Sequence, residues 1–264
     1  MCAQRWALRI SCLLGESERQ FSLIQALRSV RVDAHVLIDY DNLTALFQRM
    51  SLRTLALRIQ ATADQQCSTL NDIFIRLYGG WYGPAGLTNK GTRLAQEIRL
   101  TFPLLMPVAG SQIRRIHCEI ASSLVASRGF VLPNTFRERP GIRGKLRLIP
   151  HKSCVNSALC TAAHVVHWSN GRCPEQGCQV TAKEVFAYYE QKLVDTLLCC
   201  DLIALANQSP TVATFVISDD DDMVPAFLMA GLASGHVWQL QMRRMNSRPY
   251  AMAMQQHNVQ VAAL

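Results

Sequence analysis

Thr211-Val212-Ala213-Thr214-Phe215-Val216-Ile217-Ser218-Asp219-Asp220-Asp221-Asp222 is the stretch on which the fold turns. Its first seven residues are β-branched, aromatic or small, the composition of a strand inside a sheet. Apolar character then stops and four carboxylates follow. Upstream, the spacing predicts a long helix from Thr181 to about Asn207, with Thr181 as N-cap and Glu184 three residues later completing a capping box. Downstream, Asp222 to Ser234 reads as a helix ended by Gly235, followed by a strand over His236-Val237-Trp238-Gln239-Leu240.

The same alternation runs through the first half of the chain. His35-Val36-Leu37-Ile38-Asp39 is a short apolar strand that also ends in a carboxylate. Asn42 to about Ala63 has helical spacing, with Leu43, Leu46, Phe47, Met50, Leu57 and Ile59 recurring at intervals near three and four. Asp72 to Tyr78 is a second strand closed by Gly79-Gly80, and Thr88 to about Phe102 a helix ended by Pro103. Strand and helix in alternation predict an α/β fold, a mostly parallel central sheet flanked by helices. Between residues 107 and 180 the pattern loosens, with short strand candidates at Arg115–Ala121, Gly129–Leu132 and Lys145–Ile149. We read 107–180 as a basic insertion in a domain spanning 35–245, with a peripheral segment (1–34) before it and a tail (246–264) after it.

Among 264 residues, 49% are hydrophobic and 17% charged, a globular composition that excludes a disordered chain. No apolar run approaches the ~20 residues that span a bilayer, and Ile10 to Leu14 is too short for a signal-peptide core. The expectation is a soluble cytoplasmic protein with no membrane partner. The formal charge of +8 favours a polyanionic partner. From Ile113 to Lys152 nine basic residues face only Glu119 and Glu138. The ten cysteines form no disulfide framework and read mostly as reduced, buried small residues.

In open α/β sheets ligands gather at the carboxyl ends of strands, so Asp39 and the run Asp219 to Asp222 are expected to meet there. Four successive carboxylates repel one another. A divalent cation would offset that, as would a solvated helix N-terminus, where negative charge suits the macrodipole. Asp195 adds a further carboxylate among apolar residues of the long helix, on the same face as Lys192 and Cys199.

These segments, in this order, resemble the NYN domain, a branch of the PIN-like nucleases. That family's pattern is a strand ending in D-x-x-N, a helix with K-x-V-D, and a strand running into S-G-D-S-D-F-x-P before a closing helix. The matches are Asp39 and Asn42; Lys192, Val194 and Asp195; and Ser218, Asp220, Asp222 and Pro225, with Gly231 or Gly235 in the closing segment. Tyr78-Gly79-Gly80-Trp81-Tyr82 is similar as well. The resemblance covers roughly Val36 to Phe102 and Thr181 to Leu240. The family's Gly falls at Asp219 and its Phe at Met223.

The resemblance implies a ribonuclease that hydrolyses RNA phosphodiesters with water activated by Mg²⁺ or Mn²⁺. It assigns Asp39, Asp195, Asp220 and Asp222 as the metal-binding and catalytic acids, with Asn42 and Ser218 as supporting hydrogen-bond groups. Lys192 is expected either to pair with the cluster or to contact RNA. Asp41 and Asp201 fall outside this set, and Asp201 reads as structural or solvent-facing.

The basic segment is the candidate RNA-backbone surface, led by Arg137, Arg139, Arg143, Lys145 and Arg147. Phe136, Trp81 and Tyr82 are candidates to stack on bases, against core packing. Cys160, His164, His167, Cys173 and Cys178 include the makings of a structural zinc site, though free thiols and ordinary histidines are the preferred reading. Two alternatives remain beside the nuclease. One is a haloacid-dehalogenase-like phosphatase, since Asp39-Tyr40-Asp41 imitates its D-x-D motif. The other is a non-catalytic RNA-binding module on the same fold. Oligomeric state is left open, a homodimer included.

Overall fold

The computed structural model describes residues 32–264 apart from 68, 109–111, 145, 149–160, 170, 172, 174, 209–211 and 243–249. The expected peripheral segment therefore lies almost wholly outside the described residues, as does Lys145. The apolar run ahead of Asp39 forms strand β1 (Val32–Asp39). Helices α1 (Ala45–Gln48) and α2 (Leu52–Gln66) follow. The single helix expected there is divided because Ser51 is extended and its hydroxyl accepts the Thr54 amide, capping a new helix.

Next come β2 (Leu70–Tyr78), a two-stranded ribbon of β3 (Tyr82–Gly83) and β4 (Gly86–Leu87), and α3 (Asn89–Thr101), capped by Thr88. The middle of the chain supplies β5 (Leu104–Val108), β6 (Gln112–Ile120), β7 (Phe136–Pro140) and α4 (Thr161–Ser169). The last third holds α5 (Ala182–Val185), β8 (Ala187–Gln191), α6 (Val194–Gln208), β9 (Val212–Ile217) and a 3₁₀ turn at Asp221–Met223. It closes with α7 (Val224–Ala233), β10 (Val237–Gln241), α8 (Ala251–Gln256) and β11 (Val259–Ala263).

Seven strands form one sheet in the order β11-β10-β9-β1-β2-β6-β5, and every neighbouring pair is parallel except β5–β6. Alternate side chains of each strand feed opposite faces. Val36 and Ile38 pack with α2 and α3 residues on one face, while Leu37 packs with α6, α7 and α8 residues on the other. The chain is thus an α/β protein with a mostly parallel sheet between two helical layers. No described helix is long and apolar enough to cross a membrane.

Sheet growth reverses at β1. From β1 the chain adds β2 and β6 on one side, then crosses back to add β9, β10 and β11 on the other. The connections leaving β1 and β9 diverge to opposite faces, which opens a crevice at their carboxyl ends, the switch point of such sheets.

Several expectations need correction. Residues 112–120 belong to the central sheet, not to an insertion outside it, and the closing residues supply an edge strand, not a tail. Gly129–Leu132 is not a strand, nor are the described residues of 145–149. The helix expected from Thr181 to Asn207 is broken. Its capping box is present, with Thr181 N donating to Glu184 Oε2 at 2.7 Å. Ala187–Gln191 then extends to pair antiparallel with Phe136–Pro140, and α6 begins only after Leu193, whose φ is 66°. Gly231 has a packing reason to be glycine, since a Cβ there would come within 1.9 Å of the His257 carbonyl oxygen.

Candidate active site

β1 and β9 run in parallel register up to Ile38 against Ile217, so the next residues, Asp39 and Ser218, emerge together at the crevice. Strand alternation turns both toward the α6 layer. The Ser218 hydroxyl donates to Asp39 Oδ2 at 3.1 Å, and Asn42 Nδ2, on the turn after β1, donates to the same oxygen at 2.8 Å. Oδ1 of Asp39 is buried and finds no hydrogen-bond partner among the described residues. With only 2% of the residue exposed, burial pushes its carboxyl up from 3.8 to about 6; the Asn42 and Ser218 bonds oppose the shift and Asp195 adds to it.

Ser218 also fixes the acidic loop. Its Oγ accepts the Asp220 amide at 3.2 Å, and Asp220 Oδ1 accepts the Asp222 amide at 2.9 Å, capping the 3₁₀ turn. Asp195 stands in the first turn of α6 with its carboxyl raised, by burial first and then by Asp220 and Asp222. A cleft of about 430 Å³ opens here, lined by Asn42, Thr44, Asp219, Asp220 and Asp221.

The tertiary structure therefore links Asp39, Asn42, Ser218, Asp220 and Asp222 by hydrogen bonds and sets Asp195 in their field. Lys192 stands apart. It lies outside α6, so it does not share a helix face with Asp195 and Cys199, and its Nζ sits 3.5 Å from Glu190. Arg137 donates to the Asn134 carbonyl and Arg139 to Glu190, whereas Arg143 and Arg147 are exposed. Trp81 is fully buried, with Nε1 bonded to the Leu77 carbonyl, so it is a core residue and not a base-stacking one.

One neighbour of the site, Gln239, escaped the sequence reading, and a second, Asp41, was left outside the catalytic set. Gln239, 1% exposed on β10, donates to the Ser218 carbonyl at 2.9 Å and pins the residue that orients Asp39. A lone amide within the apolar run Val237 to Leu240 was the available signal. Asp41 accepts the Gly80 amide at 2.8 Å and is also bonded by Lys90 Nζ and Gln191 Nε2, so it braces three segments around the site.

Among the described residues no three His, Cys, Asp or Glu side chains gather at direct metal-ligand spacing, in the acidic crevice or around His164, His167, Cys173 and Cys178; Cys160 lies outside the described residues. Mg²⁺ commonly keeps several waters and uses only one or two direct carboxylates. The bare Oδ1 of Asp39, beside further acids and an open cleft, fits an ion held in that way. No family model, curated protein or solved structure matches the chain.

Proposed function

We propose that this chain is a metal-dependent ribonuclease with an NYN/PIN-like site, acting on RNA in the cytoplasm. One observation carries the reading. A buried carboxylate has one oxygen oriented by Asn42 and Ser218 and the other left bare, in the field of Asp195, at the sheet's switch point. A purely structural acid would have both oxygens satisfied, because an unpaired buried polar atom costs about 1–3 kcal/mol.

In this reading Asp39 is the central ligand, with Asp220, Asp222 and Asp195 holding the ion directly or through water. Mg²⁺ or Mn²⁺ there supplies a lowered pKa for the attacking water and shields charge on the phosphodiester. Asn42 and Ser218 keep Asp39 Oδ2 engaged, which would leave Oδ1 to hold an ion. Gln239 holds Ser218, and Asp220, through its bond from the Asp222 amide, ties the two acids together. Asp39, with its carboxyl at about 6, is ionised at neutral pH and loses ligand capacity in acid. Arg143 and Arg147, both exposed, suit phosphate contacts.

The phosphatase alternative needs Asp41 free as a second catalytic acid, and its carboxylate is instead occupied by Gly80, Lys90 and Gln191. The test is RNA cleavage with Mg²⁺, Mn²⁺ or EDTA, comparing the native chain with Asp220→Asn. We expect cleavage that EDTA abolishes and that the substitution lowers by about 100-fold or more. Metal-independent cleavage, or full activity in the variant, overturns the reading. Hydrolysis of a phosphomonoester but not RNA would favour the phosphatase.

A further inference from the structure

The hairpin of β7 and β8 stands off the central sheet and pairs only with itself. A two-stranded ribbon of this size is marginal unless anchored, and several of its anchors lie beside the candidate site. Gln191 bonds to Asp41, two residues from Asp39. Thr135, just before β7, accepts the Tyr82 amide through Oγ1 and the Lys192 amide through its carbonyl. Phe136 rests so closely on Gly80 that a Cβ there would come within 2.8 Å of the ring.

Tyr189 packs against Phe136. The two rings stack 5.0 Å apart and 8° from parallel, yet Tyr189 is 60% exposed. One face of the tyrosine is therefore held by a neighbour that is itself wedged in place, and the other is open to solvent. Such a preset ring loses little freedom on taking a planar ligand. Glu138 lies directly across the ladder from Tyr189, Arg137 and Arg139 alternate to the other face of the ribbon, and Glu190 neutralises Arg139, so it is the open ring and not local charge that marks this face. Tyr189 lies two residues along β8 from Gln191, about 7 Å by strand rise. Across the carboxyl edge of the sheet, β2 with its attached hairpin, β1 with Asp39, and β9 with the acidic loop follow in that order.

We propose that Tyr189, backed by Phe136, is a base-stacking subsite that takes one base of a single-stranded RNA lying across Asp39. The inference rests on the ribonuclease reading for the location of the reacting phosphate. A flat base fits the open tyrosine face. A base-paired duplex has its bases already stacked and cannot offer one to the ring.

The test measures binding of a short fluorescein-labelled oligoadenylate to the full chain in EDTA, by fluorescence polarisation, alongside cleavage in Mg²⁺. Tyr189→Ala is expected to weaken single-strand binding by about 5- to 100-fold, while Tyr189→Phe stays within about twofold of native. The matching RNA duplex should bind more weakly and be indifferent to Tyr189→Ala. Unchanged melting temperature in both variants shows that an exposed ring, not the fold, was removed. Equal single-strand affinity in native and Tyr189→Ala overturns the subsite, even if RNA is cleaved. Tyr189-dependent binding without any cleavage keeps the subsite and sinks the nuclease reading. Loss of a homodimer in Tyr189→Ala with RNA binding intact would make this face a self-contact and also overturn it.

Discussion

Asp39 and Asp201 are both buried carboxylates between the sheet and the α6 layer, and they are treated oppositely. Asp201, fully buried on α6, has both oxygens occupied: Arg76 and Tyr78 donate to Oδ2 at 2.7 Å each, and the Val125 amide donates to Oδ1 at 2.7 Å. Arg76 is in turn buried, with Glu119 and the Ser123 carbonyl as further partners. Asp39 has neutral donors on one oxygen, no cation, and other acids nearby. The comparison separates a carboxylate whose charge a buried arginine balances from one that no cation among the described residues balances.

That contrast can be broken most sharply by removal. Asp201→Ala leaves Arg76 without its fully buried partner and should cost about 3–5 kcal/mol in urea unfolding. Asp39→Asn removes an uncompensated charge and should leave the chain as stable as native, or more so. Equal losses in the two variants would erase the distinction.

A second and somewhat smaller effect concerns pH. Because the folded carboxyl of Asp39 lies near 6, above its ordinary 3.8, the folded state holds the proton more tightly than the unfolded chain. Its ionisation therefore costs stability progressively as pH rises from about 4 to about 6. In EDTA, Asp39→Asn should gain on native across that window by at most about 3 kcal/mol and then level off. His35 acts with opposite sign, since burial lowers it from 6.5 to about 4 and its stabilising contribution is lost as pH falls through that range. Measuring the difference between the two proteins cancels His35. A difference that does not vary with pH would place Asp39 at its ordinary value. Smallest is Ser218→Ala, which frees one hydrogen bond on Asp39 and should raise the half-maximal Mg²⁺ for cleavage by about tenfold; an unchanged metal requirement would show that Ser218 does not orient the ligand.

Much of the frame was legible because it is local. β1, β2, β9 and β10 begin and end within a few residues of their apolar runs, and α3 spans Asn89–Thr101 against the expected Thr88 to about Phe102. The hairpin was not legible. Ala187-Tyr188-Tyr189-Glu190-Gln191 sits inside a helical rhythm, and its strand partner at Phe136–Pro140 lies about fifty residues earlier, so only a non-local ladder makes it extended. Asp201 was read as structural or solvent-facing, and the first alternative holds. Arg76 and Asp201, lone opposite charges in two apolar runs, were the signal for that pair.

By itself the sequence determined the alternation of elements and the placement of aspartates at two strand ends, since hydrophobic period and strand termination are written in neighbouring residues. The tertiary structure alone decided which strand lies beside which, and so that Ser218 would bond Asp39, that Gln239 would hold Ser218, and that Asp41 would brace the hairpin. Those bonds join residues as much as 179 positions apart, and pairings over that distance depend on how the layers pack.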